Sequence, residues 1–174
     1  FKPMIKIAVP RQGMATADNN RFLRIWSEVD YKKIGFNLTS QSEASISFKK
    51  WFPYNKGGGF RKWYGNNEYI LNWEDNGAEI KSLKPSSVIR NESYYYKKGM
   101  TWSAISSGTF SGRICQEGFL FDSKGPVLFS YDNISNEKCM AILNSKVGSH
   151  FLQIISPTLD FNQGPLSKVP VVDL

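Results

Sequence analysis

"TWSAISSGTFSGRICQEGFLFDSKGPVLFSY", residues 101–131, holds three short runs of β-branched and aromatic residues, at 101–106, 110–115 and 126–131. Gly108, Gly118 and Gly125 punctuate them, so the stretch reads as successive strands joined by turns. Toward the N-terminus, "EYILNW" (68–73) followed by "EDNG" reads as a strand running into a turn. "FLRIWSEV" (22–29) alternates less perfectly through Phe22, Leu23, Ile25, Trp26 and Val29. The other direction changes period. From Ser135, "SNEKCMAILNSKVGSHFLQII" places Cys139, Leu143, Val147, Phe151 and Ile154 close to a 3.6-residue repeat, with Ser135 as N-cap. This predicts one or two helices, broken near 144–148, and then an extended end at "GPLSKVPVV" (164–172). The expected fold is a mixed, strand-rich α+β domain spanning 1–174, strand-rich over about 1–134 and helical over about 135–174.

Composition narrows the function classes. With 174 residues, 41% of them hydrophobic, the chain can bury a core, and it has no run of eighteen apolar residues to cross a membrane. The opening "FKPMIKIAVPRQGM" lacks a signal peptide's apolar centre and cleavage pattern, and the missing initial Met suggests a piece of something longer. Cys115 and Cys139 are isolated thiols and His150 is the sole histidine, too few soft ligands for zinc; no metal site is expected, and a reducing, cytoplasmic setting fits.

The net charge of +7 is concentrated rather than spread. Residues 44–67 carry +5 and residues 93–116 carry +3, neither with an acid, which leaves −1 for the rest. A solubilising surface interleaves both signs, whereas clustered cations attract a polyanion. The densest part is "FKKWFPYNKGGGFRKWYGN" (48–66), where cations, rings and glycines alternate. Lys and Arg neutralise phosphates, Gly lets backbone approach a sugar-phosphate chain, and rings stack on bases or brace a loop. Trp51, Phe52, Trp63 and Trp73 are expected at least partly in the core, because large rings dominate cores. Asn55, Asn66, Asn67, Asn91 and Gln116 supply amides able to read adenine edges.

Catalytic equipment is sparse. "KGGGFRK" lacks the phosphate-cradling GxxxxGK[ST] order, and no GxGxxG or GxSxG is present. Asp75, Glu79 and Lys81 form the only nuclease-like triplet, set in an expected turn. The residues describe a binder.

Three stretches carry a family likeness: "QGMATADNNRFLRIWSEV", "KWFPYNKGGGFRKWYGNNEYILNWEDNGAEIK" and "GMTWSAISSGTFSGRI…GFLFDSKGPVLF". Together they resemble the C-terminal part of the adenine-specific DNA methyltransferases of BREX phage-defence systems, the PglX type. "AILNSKVGSHFLQIISPTLDFNQGPLSKVPV" resembles the closing section of target recognition domains in Type I specificity subunits and Type IIG-like restriction-modification methylases. The resemblance implies an upstream domain that binds S-adenosylmethionine and methylates N6 of a flipped adenine, with this chain choosing the DNA sequence. No cofactor loop and no Asn-Pro-Pro or Asp-Pro-Pro triplet occurs here, so no catalytic residue and no cofactor are expected in these residues. Ala17 departs from the likeness, which sets Gly there.

The resulting expectation is a target recognition domain for double-stranded DNA. Lys49, Lys50, Lys56, Arg61 and Lys62 are the candidate phosphate contacts, with Tyr54, Trp63 and Tyr64 as neighbouring rings. Arg90, Tyr95, Lys97, Lys98, Ser106, Ser107 and Arg113 form a second wall, with Arg113 the candidate reader of a base edge. Other defence-system proteins are admitted as partners. The alternative is a protein-docking domain whose basic face meets an acidic partner or a phage-encoded inhibitor; a nuclease rests on Glu79 and Lys81 alone.

Overall fold

The computed structural model describes residues 1–106, 108–131, 133–157 and 160–172. Among them run ten strands: β1 (Lys2–Pro3), β2 (Ala8–Arg11), β3 (Leu23–Ile25), β4 (Trp51–Asn55), β5 (Tyr69–Asn72), β6 (Gly99–Trp102), β7 (Gly112–Cys115), β8 (Leu120–Phe121), β9 (Val127–Ser130) and β10 (Pro170–Val171). The α-helices are α1 (Asn19–Phe22), α2 (Gln41–Ile46), α3 (Glu74–Ser82), α4 (Asn136–Asn144), α5 (Lys146–Ile155) and α6 (Gln163–Lys168). The architecture is mixed α+β and strand-rich, with α1–α3 set among the strands and α4–α6 following one another near the C-terminal end.

One sheet runs β2-β9-β6-β7, antiparallel throughout, with Met100 opposite Leu128 and Thr101 opposite both Val127 and Arg113. Both faces are covered. Met100, Trp102 and Leu128 pack with Leu143, Leu152 and Leu166 from α4, α5 and α6. Cys115, Val127 and Phe129 join the other core, around Phe52, Tyr54, Trp73 and Phe121. A strand covered on both sides shows apolar residues consecutively, which is why "PVLFSY" does not alternate.

The second four-stranded sheet runs β3-β5-β4-β8, with β4 antiparallel to β5 and parallel to β8. Here the structure differs from a simple cationic loop. All of β4 is buried, so "WFPYN" is a core strand, and the chain becomes exposed only from Gly58, after a half-buried Lys56 and a buried Gly57. Pro53 is tolerated because β8 starts pairing at Tyr54, leaving the proline beside β5 alone.

"EDNG" turns as expected: Asp75, Asn76 and Gly77 take φ of 48°, 57° and 68° before the right-handed part of α3. A Cβ at Gly77 would lie 2.3 Å from the Trp73 ring, so glycine is required twice over. Ser135 caps α4 by accepting from Lys138 N at 3.2 Å. Ser145 ends α4 with ψ 160° and caps α5 by accepting from Gly148 N at 3.0 Å, which places the break where the sequence set it. That break resets the helical phase. Val147 and Ile154, placed on the inner stripe by an unbroken repeat, are exposed, and Leu152 is fully buried instead. The expected extended end is corrected too: residues 163–168 are helical, because Pro165 falls in the first turn, where its missing N–H costs no helical hydrogen bond.

Candidate nucleic-acid interface

The loop 56–66 is held at both ends. At its start the Asn55 side-chain amide donates to Thr101 Oγ1 on β6 and to Gly125 O at 2.9 Å. Gly57 follows with φ 92°, and a Cβ there would sit 2.7 Å from Lys124 O, so only glycine lets the chain pass that turn. At its end Trp63 N donates to Gly112 O at 2.9 Å and Ile114 N to Trp63 O at 3.0 Å, bridging Trp63 to Arg113. The two acid-free segments are therefore joined by backbone hydrogen bonds rather than merely adjacent. Asn144 locks the joint by bonding Gly112 N at 2.7 Å and Gly112 O at 2.8 Å. Lys62 Nζ donates to Asn144 O at 3.0 Å, at the C-terminal end of α4, where the helix dipole favours a cation.

This loop stands between two open clefts. The first, about 340 Å³, has Gly58, Gly59 and Phe60 on one side and Ile105, Ser106, Gly108 and Thr109 on the other. Nothing lies within 4 Å of a Cβ built on Gly59 or Gly108, so bare backbone faces outward on both walls. The second, about 440 Å³, sets Tyr64 near Trp26, Tyr31 and Phe36, with the amides of Asn67 and Gln116. Tyr64 is 60% exposed and Trp63 51%. Trp26 and Tyr31 were not among the sequence candidates; Trp26 lies in a run that reads as a strand, whereas the chain leaves β3 at Ile25 and enters 3-10 turns at Trp26–Glu28 and Tyr31–Lys33.

The candidate cations divide by what they already hold. Arg61 is exposed, and its one side-chain hydrogen bond among the described residues is to the neighbouring Phe60 carbonyl, at 3.4 Å. Arg90 and Lys97 make no ion pair among the described residues, and Lys97 Nζ lies 5.3 Å over the Tyr94 ring. Lys50 pairs with Glu74 at 3.0 Å and Lys98 with Glu137 at 2.6 Å, and hydrogen bonding from Lys98 holds the Glu137 carboxyl below its ordinary range. Exposed pairs of this kind are worth about 0–1 kcal/mol, so a phosphate can displace the acid. Lys49 Nζ donates to Lys32 O at 2.5 Å. Lys56 is different: its partner Asp122, at 2.8 Å, is buried and also accepts from Tyr54 Oη at 2.8 Å and Lys124 N at 2.7 Å. Lys56 and Lys62 are thus committed to the fold.

Three candidates lie inside the molecule rather than on a wall. Tyr54 has no exposed surface, and burial, then Asp122, pushes its phenol up. Tyr95 packs edge-on to Trp73 and Phe121, with ring centroids 5.8 and 5.3 Å away, and burial raises its phenol as well. Arg113, opposite Thr101 on β7, has no exposed surface, and burial lowers its pKa to about 10. Tyr54 and Arg113 lie on strands buried within their sheets, and Tyr95 follows the 3-10 turn Glu92–Tyr94 into the core. Ser106 lines the first cleft and Lys98 borders Asn37, Gln116 and Glu117 beside the second, whereas Arg90 lines neither. Ser107 is outside the described residues. Of the nuclease-like triplet, all three residues lie on α3, only Asp75 in the expected turn; Glu79 pairs with Arg21 and Lys81 with Glu92 at 2.7 Å.

Among the described residues no helix is long and apolar enough to cross a membrane. No family model matches the chain. It is 46% identical over 168 residues to the adenine-specific methyltransferase PglX of Lacticaseibacillus casei (strain Zhang), covering 92% of this chain and 14% of that protein. It is 39% identical over 153 residues to the adenine-specific methyltransferase BrxX of Escherichia coli O9:H4 (strain HS), covering 87% of this chain and 12% of that protein. The chain thus spans about one-seventh of the length of the first relative. By sequence, then, the chain is similar to one segment of these two adenine-specific methyltransferases.

Proposed function

We propose that this chain is the DNA target-recognition part of a site-specific adenine-N6 methyltransferase of a BREX phage-defence system. One observation carries the reading. The acid-free loop 56–66 stands clear between two clefts, presenting Arg61, Trp63, Tyr64 and bare glycine backbone on one exposed ridge. A cation and flat rings on backbone without side chains suit a sugar-phosphate chain and the bases beside it. Methylation would then belong to an S-adenosylmethionine-binding domain elsewhere in a longer chain. The glycine loop here does not fit that cofactor. It leaves β4 but leads to β5 with no helix between them, so it lacks the strand–loop–helix cradle for a cofactor.

Exchanging residues 1–174 between two such methyltransferases of different specificity tests the proposal. Sequencing the methylated adenines should show the motif travelling with the exchanged segment. A motif that stays with the recipient would assign recognition elsewhere and favour the docking alternative, for which the exposed rings of Trp26, Tyr31 and Tyr64 are the specific support.

A further inference from the structure

Arg113 is a buried cation that pairs with no acid among the described residues. Among the described residues its Nε and Nη1 have no hydrogen-bond partner, and its Nη2 reaches only the Ser103 hydroxyl, at 3.4 Å. The carboxylate that influences it most, Glu68, is exposed and makes no hydrogen bond to it. A guanidinium taken out of water with unmet N–H groups is a costly arrangement, and folds rarely keep one unless something completes it. Its surroundings indicate what that is. Ser103 donates to Gly58 O at 2.7 Å, so a single hydroxyl links the guanidinium to the glycine wall of the first cleft. Gly57 and Gly58 hold φ of 92° and 115°, and three successive glycines can change conformation without side-chain clashes. Apart from the Ser103 bond, the wall is tied by Asn66 Nδ2 to Gly59 O at 2.9 Å, a surface contact.

We propose that a phosphate site lies behind the glycine wall of this cleft: a DNA phosphodiester entering there displaces Gly58 from Ser103 and is bound by Arg113 together with the Ser103 hydroxyl. The chemistry is that of a guanidinium for an oxyanion, in which charge-assisted hydrogen bonds replace unmade ones. The inference rests on the DNA-binding reading and gives Arg113 a backbone contact instead of a base edge. It also assigns a purpose to the glycine run: the loop acts as a cover that a phosphate opens.

The test follows the Arg113 Nε–H resonance of the ¹⁵N-labelled chain, assigned with Arg113→Lys, during titration with duplex DNA and, separately, with inorganic phosphate. The expected result is a large shift with duplex at concentrations where inorganic phosphate gives none. Ser103→Ala, which leaves the guanidinium in place, should weaken duplex binding and reduce the salt slope by up to about 0.9 units, the contribution of one phosphate. Duplex binding with the resonance unmoved and the Ser103→Ala slope unchanged would make Arg113 purely structural, overturning this inference while sparing the DNA reading. No duplex binding, with a shift in inorganic phosphate, would mark a free-anion site and overturn both. No duplex binding and no shift with either ligand would also overturn both.

Discussion

Ala17 holds φ of 69°, a left-handed conformation that costs an L-residue with a Cβ about 1–2 kcal/mol. Glycine adopts it freely, which is the physical reason to expect a glycine at this position. Ala17→Gly should therefore raise stability by about 0.5–1 kcal/mol after the added freedom of the unfolded chain is deducted, measured by urea denaturation. A loss of stability would show that the loop does not hold this geometry in solution. Residue by residue, the sequence was most informative about rings: Trp51, Phe52 and Trp73 are core, as expected, and Trp63 is half exposed. It was least informative about Arg113 and Tyr54. A charged or hydroxylated side chain reads as exposed by default, and only the pairing of Arg113 with Thr101, or of Tyr54 with Leu120, reveals which face it takes.

At the scale of elements, Asn144 ties the end of α4 to the start of β7 through both backbone groups of Gly112. Asn144→Ala takes from the buried Gly112 N–H its Asn144 acceptor and from the Gly112 carbonyl one of its two donors, with an expected loss of about 2 kcal/mol in chemical denaturation. Because Gly112 O also receives Trp63 N, the loop should loosen with it, seen as faster hydrogen exchange at Trp63 and Ile114. Unchanged exchange there would mean that the loop is held independently of α4. The strands at 101–131 and the helix break at Ser145 were legible because turn glycines and a capping serine mark them directly. The strand β4 was not. Its two lysines before and glycines after describe the loop it opens into, while its own burial comes from β5 and β8, which lie far along the chain. The same limit applies to Lys56 and Lys62, which read as free cations until Asp122 and Asn144 are brought to them by the fold.

For the whole molecule, buried weak acids fix the response to pH. Burial raises Cys115 to about 12 and Cys139 to about 11 from 9.0, and raises Tyr54, Tyr95 and Tyr96 above 10.0. Each of these groups holds its proton longer folded than unfolded, so its contribution is complete below the unfolded value and is lost as pH rises through the folded one. Arg113, lowered to about 10 from 12.5, acts oppositely, because the unfolded chain binds its proton more tightly in that interval. Five groups against one predict stability that falls from about pH 9 upward. Thermal melts at pH 8 and 10.5 check this, and a midpoint that held or rose would contradict the burial of the tyrosines and thiols. The central claim, that the ridge between the clefts meets DNA, is tested most directly by duplex affinity measured against salt concentration for the chain and for Arg61→Ala. The account predicts a steep log–log dependence, of about 0.9 units for each phosphate contacted, which Arg61→Ala lowers by about one unit on every duplex sequence. A slope near zero, or one that Arg61→Ala leaves unchanged, would contradict it.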